Sequence, residues 1–243
     1  MARKLKVLIA GGGIGGLTAG ISLCRAGFDV AVYEQAAQLA EVGAGIQLSA
    51  NATRVLHDIG LGEGLAEVSV QPLRYEFKLF NSGEVLQEIP LGDRHEQNHG
   101  APYYQIHRAD FLNLLADRAQ AVMPSGMVHL GKKATGFVED DDGVTLNFAD
   151  GSSARGDVLI GADGIRSAIR NQIVGEVPVD YTGQVAWRIN VPTERLPKDF
   201  MEHITEIWVG PNKHGVVYFL RRGEILNFVG CVDHAEWSEE SWT

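Results

Sequence analysis

Lys6-Val7-Leu8-Ile9-Ala10-Gly11-Gly12-Gly13-Ile14-Gly15-Gly16 is the stretch on which the fold turns. Lys6–Ala10 is short, mostly apolar and rich in β-branched residues, and three glycines stop it, so it reads as a buried strand. Beyond the glycines, Ile14, Leu17, Ile21 and Cys24 recur at helical spacing, and Gly27 stands where a helix-ending glycine belongs. Asp29–Tyr33 is a second strand, closed by Glu34. Strand, glycine turn, helix and strand make a βαβ unit, the seed of a parallel sheet.

The glycines have separate tasks. Gly11 permits the tight turn, Gly13 lets a pyrophosphate approach the backbone, and Gly16 lets the helix pack close to the strand. The helix start at Ile14 and Gly15 then offers free N–H groups and a partial positive charge to phosphates. Glu34, 18 residues past Gly16, is placed to accept both ribose hydroxyls of an adenosine. A 2′-phosphate would be repelled there. NAD and FAD both satisfy the pattern, and the glycines alone do not choose between them.

Further along, Ser49 stands before a short helix ending at Gly60, and Leu73–Phe80 turns through Asn81-Ser82-Gly83 into Glu84–Leu91, a hairpin. Gly92–Pro102 reads as a polar loop. A helix follows through Phe111, Leu114, Leu115 and Val122, and then short strands at Val128–Leu130, Ala134–Glu139, Val144–Phe148 and Asp157–Ala162. Asp163-Gly164 ends the last of these, and Ile165–Gln172 reads as a short helix. After about Pro178 strand-like runs dominate: Gln184–Val191, Ile204–Val209, Val216–Leu220 and Ile225–Val232. The expected architecture is α/β. A Rossmann-like cofactor domain comprises residues 1–70 and 101–178, and a β-rich substrate lobe comprises 71–100 and 179–243.

Composition narrows the partners. The 243 residues are 45% hydrophobic and 21% charged, with a formal net charge of -10. That balance argues against nucleic acid or an anionic membrane surface as partner. Two distant cysteines, with no CxxC pair, imply a reducing, cytoplasmic setting and no zinc site. The basic start before an apolar run resembles a signal peptide only superficially, because six glycines interrupt Gly11–Gly20. Asp140-Asp141-Asp142 reads as a solvated turn without the later ligands of a calcium loop, and no metal site is expected. Ser167 lacks the setting of a nucleophilic serine.

Three further segments give the βαβ unit a family. Asp157–Arg170, carrying Gly161, Asp163, Gly164, Ser167 and Arg170, resembles the second fingerprint of the single-component FAD-dependent aromatic hydroxylases, the group of salicylate, 3-hydroxybenzoate and 4-hydroxybenzoate hydroxylases. Ile106–Phe111 resembles that family's arginine ahead of a helix, which implies that Arg108 contacts FAD. Val42–Gln47 is similar to the loop beside the isoalloxazine ring, which implies Gly45 and Ile46 near the flavin and Gln47 in the active-site wall. Gln35 and Leu130 are counted with the cofactor contacts. Gly210–Tyr218 resembles the benzoate and salicylate hydroxylase subgroup, which implies that His214 and Tyr218 face the substrate. His214 then takes the phenol proton, and Tyr218 bonds the substrate hydroxyl or carboxylate. His107 reads as structural.

The resemblance implies hydroxylation of a small aromatic acid with NAD(P)H and O2. With no second GxGxxG, the nicotinamide nucleotide binds transiently. A halogenase or reductase on the same scaffold, an inactive nucleotide-binding fragment and an NAD-dependent dehydrogenase are the rivals. The family's third fingerprint, a strand ending in Gly-Asp, is not found after Asp163, since Val229–Asp233 lacks that step. The expectation is a truncated chain with weakened flavin binding and a homodimer or self-association through the surface so exposed.

Overall fold

The computed structural model describes residues 3–39, 44–176 and 180–234. The chain begins with β1 (Lys6–Ala10), α1 (Ile14–Arg25), β2 (Asp29–Tyr33), β3 (Gly45–Leu48), α2 (Ala50–Asp58) and α3 (Gly62–Val68). It continues through β4 (Arg74–Leu79), β5 (Val85–Pro90), α4 (Gly92–His99), β6 (Tyr104–His107), α5 (Arg108–Val122), β7 (Val128–His129), β8 (Ala134–Asp140) and β9 (Gly143–Phe148). The last elements are β10 (Ser153–Gly156), β11 (Val158–Gly161), α6 (Ala168–Val174), β12 (Gln184–Pro192), β13 (Thr205–Gly210), β14 (Lys213–Leu220) and β15 (Ile225–Asp233).

Two compact units result. One comprises Met1–Glu41 and Phe111–Val179, the other Val42–Asp110 and Asp180–Thr243. Residues 42–70 and 101–110, read with the cofactor domain from sequence, thus pack with the second unit. The expected composition break near Pro178, like Val42 and Gly43, lies outside the described residues.

In the first unit a parallel sheet runs in the order β11-β1-β2-β7. Its central strands β1 and β2 are apolar on both faces because both faces are covered. Leu8, Ala10, Ala31 and Tyr33 pack with Leu146, Phe148 and Ile169, which come from the antiparallel β10-β9-β8 sheet and from α6. On the other face α1 lies so close that a Cβ on Gly20 would sit 3.0 Å from Val32 Cγ2 and 3.6 Å from Ile9 Cδ1.

The second unit is built on a six-stranded sheet, β12-β15-β14-β13-β4-β5, beside the two-stranded β3-β6. Its pairs are antiparallel except for β13 and β4, which run parallel. The expected β-rich lobe is therefore accompanied by helices α2, α3 and α4.

Two local expectations are corrected. Gly92–His99, read as loop, is helix α4, ended by Gly100 in the left-handed region at φ 71°. It buries none of its residues, so it carries no apolar stripe for a periodicity argument to find. The helix expected over Ile165–Gln172 occupies Ala168–Val174, because Ser167 caps it by accepting from the Arg170 N–H at 2.9 Å. Among the described residues no helix is long and apolar enough to cross a membrane.

Candidate functional site

The glycine turn of the first unit is shaped as the spacing predicts. Gly11 sits at φ 106°, and a Cβ there would run into the Ala162 carbonyl. Only glycine tolerates both the angle and the contact. Its N–H donates to the Tyr33 carbonyl at 2.7 Å, which ties the turn to β2. A Cβ on Gly16 would strike the Gly11 carbonyl, so the first turn of α1 rests on the end of β1. Gly13 and Gly15, by contrast, face open space. Gly13 caps α1 with no side-chain partner, and the first turn carries no acid. The leading N–H groups at Ile14 and Gly15 therefore point into a region that a phosphate can enter.

Glu34 lies at the same place. One carboxylate oxygen accepts the Gly12 N–H at 2.7 Å and the other the Ala36 N–H at 2.8 Å. Each oxygen keeps a further acceptor site. A cavity of about 130 Å³ opens beside it, lined by Gly12, Gly13, Glu34, Gln38 and Leu112 among others. The backbone bonds aim the carboxylate at the turn and leave it free to take two sugar hydroxyls. Gln35 is exposed next to it. Leu130, 41% exposed, follows β7 and is flanked by backbone bonds that join this strand to the Glu34 loop: Glu34 N–H to the His129 carbonyl and Lys132 N–H to the Glu34 carbonyl.

Asp163 has a structural task of its own. Its oxygens accept the Ser167 hydroxyl at 2.5 Å and the Ile169 N–H at 3.2 Å, so it closes the entry to α6. Its backbone nitrogen would lie 2.9 Å from a Cβ on Gly11, so the segment abuts the glycine turn. The sequence grouped Asp163 with Gly11, Gly13 and Glu34, and the first unit brings all four together.

The remaining candidates belong to the second unit. Gly45–Leu48 pairs antiparallel with Tyr104–His107, and the Arg108 N–H donates to the Ala44 carbonyl at 2.9 Å. Arg108 thus begins α5 beside the strand that carries Gly45, Ile46 and Gln47. The Gln47 side-chain oxygen lies 2.9 Å from the Tyr75 hydroxyl and 2.8 Å from the Tyr103 hydroxyl, and the two hydroxyls are in bonding reach of each other, so their two protons are shared among three contacts. A Cβ on Gly45 would lie 2.8 Å from Tyr218 Cζ, so this glycine exists because the Tyr218 ring packs against its backbone.

His214 and Tyr218 share one face of β14, as expected for residues four apart in a strand, about 13 Å along it. His214 is exposed and Tyr218 buried. That face therefore has an open end and a closed end. Burial pushes the Tyr218 hydroxyl up to about 12, partly offset by the charge of Arg188. Burial also raises Tyr75 and, much further, Tyr103. All three hydroxyls are neutral donors at physiological pH.

The sequence reading missed Tyr75, Tyr103, Gln105 and Thr205. Gln105 and Thr205 are fully buried and bonded to each other, and Thr205 lies directly across the sheet from Tyr218. Strand register, together with the Tyr103–Gln47 and Gln105–Thr205 bonds, brings these four to Gln47 and Tyr218, and the local pattern contains no signal for it.

Residues 4–240 match the FAD binding domain family. Among similar proteins, 3-amino-4-hydroxybenzoate 2-monooxygenase of Streptomyces platensis is 39% identical over 98% of this chain and 59% of its own length. The 3-hydroxybenzoate 6-hydroxylase of Polaromonas naphthalenivorans is 39% identical over 93% of this chain and 56% of its own. The structure of Klebsiella pneumoniae HpxO with FAD and uric acid superposes with a TM-score of 0.84 at 29% identity, over 97% of this chain and 58% of that one. The chain thus spans less than two thirds of the length of these relatives. With the open glycine turn and the aimed carboxylate already in place, the match over nearly its whole length means that this chain belongs to the FAD binding domain family.

Proposed function

We propose that this chain supplies the FAD cradle and part of the substrate wall of a monooxygenase that hydroxylates a small aromatic acid, using NAD(P)H and O2. One observation carries the cofactor half of this reading. In a single unit, an unobstructed helix start at Gly13–Gly15 stands beside the Glu34 carboxylate held against Gly12. A dinucleotide with adjacent phosphate and ribose groups fits that arrangement.

In this assignment Gly11, Gly13, Ile14, Gly15 and Gly16 form the pyrophosphate turn, and Glu34 takes the ribose. Gln35 and Leu130 flank the adenosine, Asp163 borders the turn, and Arg108 neutralises phosphate charge. Gly45 and Ile46 offer close backbone approach to a flat ring. The first unit is then the nucleotide domain, and the second carries the flavin wall and substrate face. Bound FAD would supply the redox chemistry by which one oxygen atom of O2 reaches the ring, with NAD(P)H as reductant.

The chain's own residues bind and orient the substrate. Tyr218, neutral and buried beside Gly45, donates a hydrogen bond at the closed end. His214, at the open end, holds or releases a proton beside the substrate within reach of water. Gln47, fixed by Tyr75 and Tyr103, holds the wall in shape. The activities for which the two monooxygenase relatives are named, both on substituted benzoates, support an aromatic acid as substrate. The free cysteines Cys24 and Cys231 suit a cytoplasmic setting. Self-association involves edge strand β12, where Trp187 and Ile189 are 66% and 55% exposed.

The test is reconstitution with FAD, followed by NADH oxidation with and without hydroxybenzoates and identification of the product. Substrate-stimulated oxidation with a hydroxylated product supports the reading. Tight FAD binding with no response to any aromatic acid contradicts its substrate half. Sedimentation at several concentrations tests the association.

A further inference from the structure

One row of residues crosses the six-stranded sheet through Tyr218. The register pairs Asn190 with Asn227, Asn227 with Tyr218, Tyr218 with Thr205, and Thr205 with Tyr75. Residues directly opposite in neighbouring strands point to the same face. This polar row is therefore a single feature, placed at the closed end of the His214–Tyr218 face.

One member of the row, and one side chain bonded to another member, end in buried polar atoms with nothing to bond. Asn227 is 1% exposed, and neither its side-chain oxygen nor its nitrogen has a partner. It is the one side chain among the described residues with both ends in that condition. Gln105, 0% exposed, spends its nitrogen on the Thr205 hydroxyl, and its oxygen has no partner. Asn227 lies beside Tyr218 on β15, and Gln105 reaches the row on the other side of Tyr218 through its bond to Thr205. A buried amide left unbonded loses the whole of its hydration, so such groups are retained where something satisfies them.

Their chemistry says what that something is. The orphans comprise two amide oxygens, which accept, and one amide nitrogen, which donates. Tyr218 adds a hydroxyl held neutral by burial. The described members of the row at this end carry no charge. A carboxylate only accepts and would face the two amide oxygens with repulsion. A ring hydroxyl, an amine or a lactam edge both donates and accepts.

We infer that Asn227, with Gln105, is a specificity-determining site that binds an uncharged, hydrogen-bond-donating ring substituent of the substrate at the closed end of this face. The substrate carboxylate then lies toward the open end. There His214 is exposed, and Arg188 projects from the same face of β12 in the row of Val216 and Val229. Charge stays near water while the neutral substituent is read in the dry part, which is the less costly arrangement. The inference rests on the aromatic-acid reading and adds an orientation and a substrate class: aromatic acids bearing a second substituent that can donate.

The experiment uses the FAD-loaded protein and measures dissociation constants by calorimetry and by flavin absorbance. The ligands are 3-hydroxybenzoate, 3-aminobenzoate, 3-methylbenzoate and isophthalate. Wild-type protein is expected to favour the hydroxy and amino acids over the methyl analogue by roughly tenfold or more, the worth of a buried hydrogen bond, and to reject isophthalate. Asn227→Leu, similar in volume, should abolish the preference while leaving the FAD dissociation constant unchanged. Asn227→Asp keeps an acceptor in place should the leucine variant fail to fold. Its charged acceptor should widen the preference for the hydroxy and amino acids over the methyl analogue. An unchanged hydroxyl preference in Asn227→Leu, or one that does not grow in Asn227→Asp, overturns the inference alone, since a buried water would then be the partner. Failure of wild-type protein to bind any of the four acids overturns the aromatic-acid reading and the inference with it.

Discussion

The glycine turn of the first unit and the polar face of the second are both candidate sites, but they are built differently. The turn is made of backbone. Its geometry follows from where glycines stand in eleven consecutive residues, and Glu34 is the one side chain it uses. The polar face is made of side chains from β4, β13, β14 and β15 and from β3 and β6, up to about 180 residues apart in sequence (Gln47 to Asn227). A backbone site tolerates no Cβ at its contact points. A side-chain site tolerates substitution residue by residue and changes its selectivity instead. Substitutions at the first should therefore remove cofactor binding outright, whereas those at the second should grade it by ligand.

The sharpest break of that comparison is Gly16→Val. The new side chain would have to occupy the space of the Gly11 carbonyl, which forces α1 away from β1. FAD binding should fall below detection, read as loss of flavin absorbance after gel filtration, while circular dichroism shows whether the fold survives. Retained stoichiometric flavin would show that the turn is not the cradle.

Next in size is Gly45→Val, which would drive the Tyr218 ring from its seat. Overpacking of this kind costs about 1–3 kcal/mol of stability. Aromatic-acid binding should be lost, with thermal unfolding several degrees lower. Unchanged ligand affinity would place the substrate elsewhere.

Tyr218 also predicts a pH effect. Its ionisation lies near 10 when unfolded and is raised to about 12 when folded. A raised folded value means the stabilisation is whole below pH 10 and is lost as pH climbs through 12. The buried neutral phenol accounts for on the order of 2–3 kcal/mol of that loss. Denaturant unfolding between pH 9 and 11.5 should decline less steeply for Tyr218→Phe than for wild type. Parallel curves would mean the phenol is not buried.

The smallest expected effect is Asp163→Asn. Its carboxylate receives the Ser167 hydroxyl and the Ile169 N–H at the start of α6, so weakening that cap should cost about 1 kcal/mol. FAD affinity should shift less than stability does. A larger loss of FAD than of stability would give Asp163 a direct cofactor contact.

This contrast also explains what could be read in advance. Gly11, Gly13, Gly16 and Glu34 were legible because backbone angle, helix start and strand end are local properties. The strands were legible wherever they alternate or bury both faces, as in Lys6–Ala10 and Gln184–Val191. Helix α4 was not, because Gly92–His99 is polar all round and forms without an apolar face. Gln105, Thr205 and Asn227 were invisible for another reason. Each is an ordinary polar residue in a strand, and only the pairing of β13, β14 and β15 with their neighbours, together with the Gln105–Thr205 bond, gathers them around Tyr218. His214 and Tyr218 came from a resemblance, and register then separated their roles: one at the open end, one at the closed.

The central claim is that Glu34 grips a ribose while the start of α1 holds the phosphates. Calorimetric titration of ADP against 2′,3′-dideoxy-ADP, in wild type and in Glu34→Ala, tests it most directly. The account predicts that removing the sugar hydroxyls weakens binding to wild type by about tenfold or more, as expected for bonds to a charged acceptor, and changes nothing in the variant. Equal losses in both proteins, or no loss in wild type, would contradict it.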